Sequence, residues 1–368
     1  MRIKLTPFIS VHHHLPLFSL LNGRCCFPPA KVLVTGANGY LAVWVVKKYL
    51  EAGYAVRGTV RSLTKNAFLK DRFAHYGDRF ELVVVEDITK DGAFDEAVKG
   101  VDAIAHTASP FHYKATDPDE LIIPAVRGTT SILNSTLKHG SAVKRLVLTS
   151  SVAAVREEAT TPRVFNETTW NNSAMEAVKT KGSTVGPVTI YLASKTLAEK
   201  AAWDFVATHK SEISWDLVVI NPPYVFGPSL SPAPTVDDIN TSQREVYDTL
   251  SGARTSAQLR NQGNWVHVAV AAEAHVRATH VAAAGGERII VTSGPFFYQD
   301  LLDAAAELGI PNVPRGEPGS TKDIPIIINL ETNKARELLG LTSETPLKDL
   351  VEESVKDFKE RGYPGFTV

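Results

Sequence analysis

The stretch KVLVTGANGYLA, residues 31–42, decides the fold of this chain. Val32, Leu33 and Val34 are bulky and apolar and predict a buried strand, whereas apolar residues recur at helical spacing after Gly39. A tight turn therefore joins a strand to a helix. Gly36 allows the turn, Gly39 lets a bulky ligand approach the backbone, and Ala42 lets the helix lie against the strand. The helix start offers unpaired N–H groups and a positive dipole end, which suit a pyrophosphate, although ordinary tight turns also carry such glycines.

The length and composition are those of a globular protein. At 368 residues the chain exceeds the size at which single cores stop growing, which predicts a large domain with a smaller lobe. A hydrophobic content of 44% and a net charge of -1 predict neither a nucleic-acid partner nor a membrane partner. The only cysteines, Cys25 and Cys26, are neighbours, so they provide neither a disulfide framework nor metal-ligand spacing. We therefore expect a cytoplasmic protein without a metal ion.

Residues 1–29 precede the first strand and are predicted to form a leader segment. Residues 1–27 contain Arg2 and Lys4, no acidic residue, and only a short apolar run between prolines and histidines. We expect a disordered leader or a mispredicted start, and N-terminal targeting is the alternative.

Strand and helix patterns alternate along the chain as far as residue 227. Apolar runs of strand length occur at residues 54–60, 79–87, 102–109, 143–151 and 215–227. Helical patterns lie between them, at residues 93–100, 120–140 and 190–209. Such alternation predicts right-handed crossovers and a parallel sheet with helices on both faces. We therefore expect an α/β fold, a Rossmann-type doubly wound parallel sheet whose ligands lie beyond the carboxyl ends of the strands.

The alternation loosens after residue 227, which predicts a second unit. Residues 30–227 are expected to form the dinucleotide-binding domain, with an irregular insertion at residues 152–186. Residues 228–368 are expected to form a smaller, mostly C-terminal substrate-binding lobe, interleaved with Rossmann elements around residues 264–294.

The residues after the second strand indicate which dinucleotide binds. An acidic residue at this position would bind the ribose hydroxyls of NAD. Here Arg61 follows the strand and Lys65 lies four residues on. An arginine fork to a 2′-phosphate contributes roughly 1.5–3 kcal/mol, so we expect NADP(H), with two solvated cations as the alternative. Asp87 follows the third strand and is placed to meet the adenine amino group, and His106, ending the fourth strand, is expected to be structural.

Three further residues predict the chemistry. Ser151 follows the fifth strand, and Tyr191 and Lys195 are four residues apart on the next long helix, so they share one helical face. A lysine ammonium about 4 Å from the phenol is worth roughly 4 kcal/mol, which would bring the tyrosine pKa from ~10 toward ~7. Tyr191 would then protonate a carbonyl oxygen as hydride reaches its carbon, with the Ser151 hydroxyl as a second donor. The alternative is a half-buried core tyrosine beside a lysine that extends to solvent.

The motifs VLVTGANGYLA, TVRS, HTASP, LTSS, YLASK and NPPYVFGP resemble, in this order, those of the extended short-chain dehydrogenases/reductases. The chain is most similar to the branch of plant dihydroflavonol 4-reductases, cinnamoyl-CoA reductases, and yeast and fungal NADPH-dependent methylglyoxal, aldehyde and ketone reductases. The resemblance implies that Ser151 orients the carbonyl, that Tyr191 donates the proton, and that Lys195 lowers the tyrosine pKa and holds the nicotinamide ribose. It implies cofactor-binding positions at Gly36, Gly39, Tyr40, Leu41, Arg61, Lys65, Asp87, Ile88, Thr107, Ala108, Tyr191, Lys195, Pro222 and Val225.

The chain departs from this branch at several positions. Arg156 stands five residues after the serine, where plant dihydroflavonol reductases carry an asparagine, and the NWYCYGK-type signature of cinnamoyl-CoA reductases is absent. These departures favour the fungal carbonyl reductases. Ala269 and Val270 replace the usual Arg and Asp and remove a polar anchor between the lobes. We expect the substrate to meet Phe111, Arg156 and Phe226.

The predicted function is NADPH-dependent reduction of an aldehyde or ketone by a monomer or homodimer. Nucleotide-sugar epimerases and dehydratases are the nearest alternative, but Val152 and Ala153 follow the serine where dehydratases place acidic residues. A non-catalytic NADP-binding regulator is the other alternative, and it would need no Tyr–Lys pair.

Overall fold

The computed structural model describes residues 24–110, 115–342 and 345–366. Its strands are β1 (Lys31–Thr35), β2 (Ala55–Val60), β3 (Phe80–Val84), β4 (Ala103–His106), β5 (Arg145–Thr149), β6 (Arg163–Phe165), β7 (Asp216–Asn221), β8 (Tyr224–Phe226), β9 (Gln262–His267), β10 (Arg288–Ile290), β11 (Gly294–Phe297) and β12 (Ile328–Leu330). Its α-helices are α1 (Tyr40–Glu51), α2 (Phe68–Arg72), α3 (Asp119–His139), α4 (Asn172–Lys181), α5 (Pro187–Thr208), α6 (Thr241–Leu250), α7 (Ser256–Leu259), α8 (Val268–His280), α9 (Tyr298–Glu307), α10 (Asn333–Leu339) and α11 (Leu347–Glu360).

A seven-stranded sheet of order β10-β7-β5-β4-β1-β2-β3 forms the centre of the molecule. All its strand pairs are parallel. Alternate residues of β1 face opposite sides, because Val32 and Val34 pack with α1 and α8 whereas Leu33 packs with α3 and α5. Both faces are thus covered by helices, and the predicted doubly wound fold is confirmed.

Two predicted elements differ from the structure. Residues 93–100, predicted as a helix, form successive turns between Gly92 and Gly100, which both have positive φ. The run at residues 215–227 divides into β7 and β8, because Pro222 and Pro223 have no N–H to continue a ladder. β8 instead pairs with β9 in a second sheet, of order β11-β9-β8.

A separate apolar core lies in the C-terminal part of the chain, where α6, α9 and α11 enclose the second sheet. The sequence predicts an irregular insertion at residues 152–186, but this segment contains β6 and α4, and β6 pairs in parallel with β12. Residues 152–186 are therefore tied to the C-terminal part of the chain. The domain boundaries given above stay a prediction.

Several features of the remaining surface bear on the predictions. Ala269 and Val270, at the start of α8, line a shallow cleft together with Lys48, Glu273 and Arg277. None of the helices that the structure describes is long and apolar enough to cross a membrane. Most of the predicted leader, residues 1–23, lies outside the described residues.

Candidate active site

The carboxyl ends of β1, β4, β5 and β7 meet at one edge of the central sheet, because these strands are parallel neighbours. The predicted site residues Gly36, Thr107, Ser151 and Pro222 follow these four strand ends. A crevice at this edge is where ligands bind in open α/β sheets.

The glycine turn after β1 leaves room for a ligand at the start of α1. Gly36 has φ of +63°, and a Cβ there would lie 3.1 Å from the Cβ of Ala108. The turn is fixed from β2, since the Gly36 N–H donates to the Thr59 hydroxyl at 2.9 Å. Gly39 caps α1 without a side-chain hydrogen bond, and no side chain in the described parts of the chain accepts from the first N–H groups of this helix. This arrangement fits a pyrophosphate.

Thr35 links the ends of β1 and β4. Its hydroxyl oxygen accepts hydrogen bonds from the N–H groups of Thr107 and Ala108, each at 3.1 Å. Its own proton is therefore directed to Nδ1 of His106, at 2.9 Å, which places the ring proton on Nε2. Burial, with a smaller effect of the Lys195 charge, lowers the pKa of His106 to about 3. His106 is thus neutral and buried, in agreement with the structural role predicted for it.

Two exposed cations follow β2. The side chains of Arg61 and Lys65 make no hydrogen bond or ion pair with any residue in the described parts of the chain. Asp87 faces this region, and its Oδ1 accepts hydrogen bonds from the N–H and hydroxyl of Thr89 at 2.9 and 2.7 Å. These bonds lower the pKa of Asp87, and the Arg61 charge adds a smaller effect. The free cations fit a 2′-phosphate.

The other predicted cofactor positions lie around this crevice. The Tyr40 hydroxyl donates to the carbonyl of Gly227 at 2.8 Å. Leu41 packs against the core of the central sheet, and Ile88 packs against α3, where a Cβ on Gly128 would lie 2.9 Å from its Cδ1. Pro222 is buried after β7, and Val225 is half-buried in β8.

The structure places Ser151 close enough to Tyr191 to lower the pKa of its phenol. The Ser151 hydroxyl also accepts the N–H of Ala153 at 3.1 Å and lies 3.4 Å from the Pro222 carbonyl oxygen. Lys195, one turn after Tyr191 on α5, donates to the Ser109 hydroxyl at 3.0 Å. All three predicted residues therefore lie at the strand-end edge, but the ammonium is directed toward the segment after β4.

Burial, and not the lysine, dominates the pKa of Tyr191. Burial raises this pKa to about 12, while the Ser151 hydrogen bond and the Arg156 charge oppose the rise. Lys195 is not among the groups that shift this pKa, and its role in lowering the pKa of Tyr191 stays a prediction. Burial also lowers the pKa of Lys195 to about 8, against the effect of the Glu199 carboxylate. Tyr191 is therefore a protonated phenol at neutral pH.

The three residues predicted to meet the substrate lie in different surroundings. Arg156 is half-buried and its charge lowers the pKa of Tyr191, and its contact with the substrate stays a prediction. Phe226 is fully buried among Trp265 and Phe296, so the prediction that it meets the substrate is corrected to a core role. Tyr224, half-buried two residues earlier, acts on the pKa of Tyr191 instead. Phe111 lies outside the described residues.

Several residues at this edge were missed by the motif analysis. Thr35 and Ser109 bond to predicted residues, and Glu199, Asn221 and Arg288 form a buried polar cluster beneath Ser151. The spacing of four residues between Lys195 and Glu199 was the available signal, since it places both on one face of α5.

The parallel sheet, the glycine turn and the free cations after β2 define a Rossmann-type dinucleotide-binding protein. Residues 32–292 match the model of the NAD dependent epimerase/dehydratase family. The chain belongs to this family, the extended short-chain dehydrogenases/reductases, as its motifs predicted.

The chain is similar to several named reductases over most of its length. It is 36% identical to the ketoreductase azaE of Aspergillus niger over 85% of this chain and 93% of that protein. It is also 36% identical to the cinnamoyl-CoA reductase CAD2 of Medicago truncatula, over 90% of this chain and 96% of that one. The chain is also 34% identical in sequence to yeast methylglyoxal/isovaleraldehyde reductase Gre2, whose crystal structure with NADPH matches it with a TM-score of 0.81. This match covers 90% of this chain and 99% of that one. Overall identity thus does not separate the fungal relatives from the plant one.

Proposed function

We propose that the protein is an NADPH-dependent carbonyl reductase that converts an aldehyde or ketone to an alcohol. The names of the similar proteins, a ketoreductase and a methylglyoxal/isovaleraldehyde reductase solved with NADPH, support this class of reaction. The observation that carries the proposal is the position of Tyr191 beside Ser151, which acts on the pKa of the phenol at the strand-end edge.

NADPH, when bound, supplies the hydride that reaches the carbonyl carbon. Tyr191 gives its hydroxyl proton to the carbonyl oxygen, which becomes the alcohol oxygen, and the phenol is protonated and ready because its pKa is about 12. The Ser151 hydroxyl is the second donor to that oxygen. A protonated phenol is an adequate acid here, because an alkoxide is a stronger base than a phenolate.

The cofactor would be held by groups on both sides of β1. The uncapped start of α1 suits its pyrophosphate, and Arg61 with Lys65 suits its 2′-phosphate. Lys195, held by Ser109 after β4, suits the nicotinamide ribose. A small carbonyl compound as the partner, a cytoplasmic location and a monomeric or homodimeric state belong to the same proposal.

A panel of aldehydes and ketones tests the proposal. The purified protein is mixed with NADPH and each compound, and NADPH oxidation and alcohol formation are measured together. We expect at least one carbonyl compound to be reduced with one alcohol formed per NADPH oxidised. If nucleotide sugars are converted without net NADPH oxidation, the protein is an epimerase or dehydratase, and if NADPH binds without any turnover it is a regulator.

A further inference from the structure

A buried carboxylate lies beneath the strand ends that carry the active site. Glu199, one turn after Lys195 on α5, is 1% exposed. Its Oε2 accepts hydrogen bonds from the Ser150 hydroxyl at 2.5 Å and from Asn221 Nδ2 at 2.8 Å. Its Oε1 accepts from Arg288 Nε at 2.5 Å. One carboxylate therefore connects α5 with the ends of β5 and β7 and with β10.

Arg288 is itself held in a fixed position. Its NH1 group donates to the carbonyls of Glu167 and Thr169, each at 2.8 Å, and the Trp170 ring lies 3.7 Å from its guanidinium carbon. The guanidinium thus has several partners besides the carboxylate, and Trp170 packs over it. Glu199 cannot move toward solvent without breaking this pair.

The cluster reaches the reacting groups through two short links. Asn221 Nδ2, which bonds to Glu199, also donates to the carbonyl of Ser151 at 3.1 Å. The next residue, Pro222, accepts the N–H of Val152 at 3.0 Å, so the segments after β5 and β7 are joined directly. Displacement of the carboxylate would therefore move the residue that contacts Tyr191.

A second ion pair in the same sheet, between Arg145 and Asp216, lies away from the active site and serves as a structural comparison for the pair at Glu199. Arg145 and Asp216 start β5 and β7 at the opposite edge and bond in two places, at 2.7 and 2.8 Å. Buried pairs of this kind are often no more stabilising than apolar residues of similar volume. The pair at Glu199 differs because it lies between the serine segment and the lysine.

We propose that Glu199 is a positioning residue, which holds Ser151 in place through Ser150 and Asn221. The inference rests on the proposed carbonyl reduction. Burial lowers the pKa of Lys195 and the Glu199 carboxylate opposes this, while the Lys195 charge in turn acts on His106 of β4, and Arg288 of β10 lies behind Glu199. The carboxylate is the one of these that favours the ammonium.

The test compares Glu199→Gln with the matched control Asp216→Asn in the full chain. We expect Glu199→Gln to lower kcat by about tenfold or more while KM for NADPH changes by less than about threefold. We also expect the fall of kcat at high pH to move to lower pH, because Lys195 loses its proton more readily without the carboxylate. Asp216→Asn should lower the melting temperature and leave kcat and its pH profile unchanged.

Two further variants keep the test decisive if Glu199→Gln does not fold. Glu199→Asp retains the charge, so it should keep the wild-type pH profile while lowering kcat. Ser150→Ala removes one link to β5 and should lower kcat without changing the pH profile. If the wild-type protein reduces a carbonyl but the Glu199 variants behave like Asp216→Asn, the positioning role is wrong. If the wild-type protein reduces none, the proposed function fails instead.

Discussion

Tyr191 and Lys195 lie one turn apart on α5, yet each depends on a different neighbour. Ser151 acts on the pKa of the phenol, whereas the ammonium donates a hydrogen bond to the Ser109 hydroxyl. Burial moves the two pKa values in opposite directions, to about 12 for the phenol and about 8 for the ammonium. Burial therefore favours the uncharged form of both groups, which suits a site that must donate a proton and exclude water.

The cofactor preference depends on one exposed side chain. Arg61→Ala is expected to weaken NADPH binding by about tenfold to hundredfold, because a charge-assisted fork to the 2′-phosphate is lost. NADH binding should change little. The measurement is the Kd of both cofactors by fluorescence titration.

Lys47→Ala is the control for this prediction. Lys47 is paired with Glu51 on the outer side of α1, so its removal should affect neither cofactor. Equal losses of NADPH and NADH affinity in Arg61→Ala would show that Arg61 does not recognise the 2′-phosphate.

Residues 227–231 form a loop of five residues that makes hydrogen bonds both to α1 and to the end of α11, and we call this loop the strap. The Trp44 indole N–H donates to the Pro228 carbonyl at 3.0 Å, beside the bond from Tyr40 to Gly227. From the other side, Arg361 donates to the carbonyls of Ser229 and Ser231 at 2.8 and 3.2 Å. The strap therefore lies next to the glycine turn and is held there by α11 and the residue after it.

Release of the cofactor should depend on this element. Arg361→Ala removes two hydrogen bonds to the strap and is expected to raise the NADPH dissociation rate by about tenfold. Stopped-flow displacement of NADPH measures that rate. Arg260→Ala, which removes an exposed pair with Glu317, is the control and should leave the rate unchanged. An unchanged rate in Arg361→Ala would mean that the strap does not retain the cofactor.

Local sequence patterns predict the elements of the central sheet well, because strand and helix periodicity follow from which side chains are buried. They fail where partners are distant in the chain. The run at residues 215–227 reads as one strand, but its last residues pair with β9. Phe226 follows the site motif and yet packs in the C-terminal core, which depends on Trp265 and Phe296.

The same limit applies to the site. The motif spacing placed Ser151, Tyr191 and Lys195 at one edge of the sheet, as the structure does. It did not give the direction of the lysine or the burial of the phenol, because both depend on how the packed elements exclude water. Nor did it identify Arg288, whose partner Glu199 is 89 residues away in the chain.

Stability of the whole molecule should depend on pH through two buried histidines. Burial lowers the pKa of His106 to about 3 and that of His275 to about 4, from an ordinary value of 6.5. The unfolded chain therefore binds more protons than the folded protein between these values, so stability is full above about pH 6.5 and falls as the pH drops. His275 is held neutral between the Thr149 hydroxyl and the Ala271 carbonyl, both at 2.7 Å.

We expect the free energy of unfolding to be lower at pH 5 than at pH 7.5 by roughly 2 kcal/mol for each of these histidines. Urea unfolding at the two pH values measures the difference. His275→Asn should reduce this difference by roughly 2 kcal/mol, whereas His75→Asn, at an exposed position, should leave it unchanged. A difference of the same size in His275→Asn as in the wild-type protein would assign the pH dependence to other groups.

The most direct test of the proposed reaction is to remove the hydroxyl group of Tyr191. In Tyr191→Phe, kcat for the best carbonyl substrate and the Kd for NADPH are measured on the same preparation, with Tyr247→Phe, in the C-terminal core, as the control. We expect Tyr191→Phe to lower kcat by about 10²–10⁴-fold with the NADPH Kd nearly unchanged, because proton donation is lost and the cofactor site is intact. Wild-type turnover in Tyr191→Phe would contradict the assignment of Tyr191 as the proton donor.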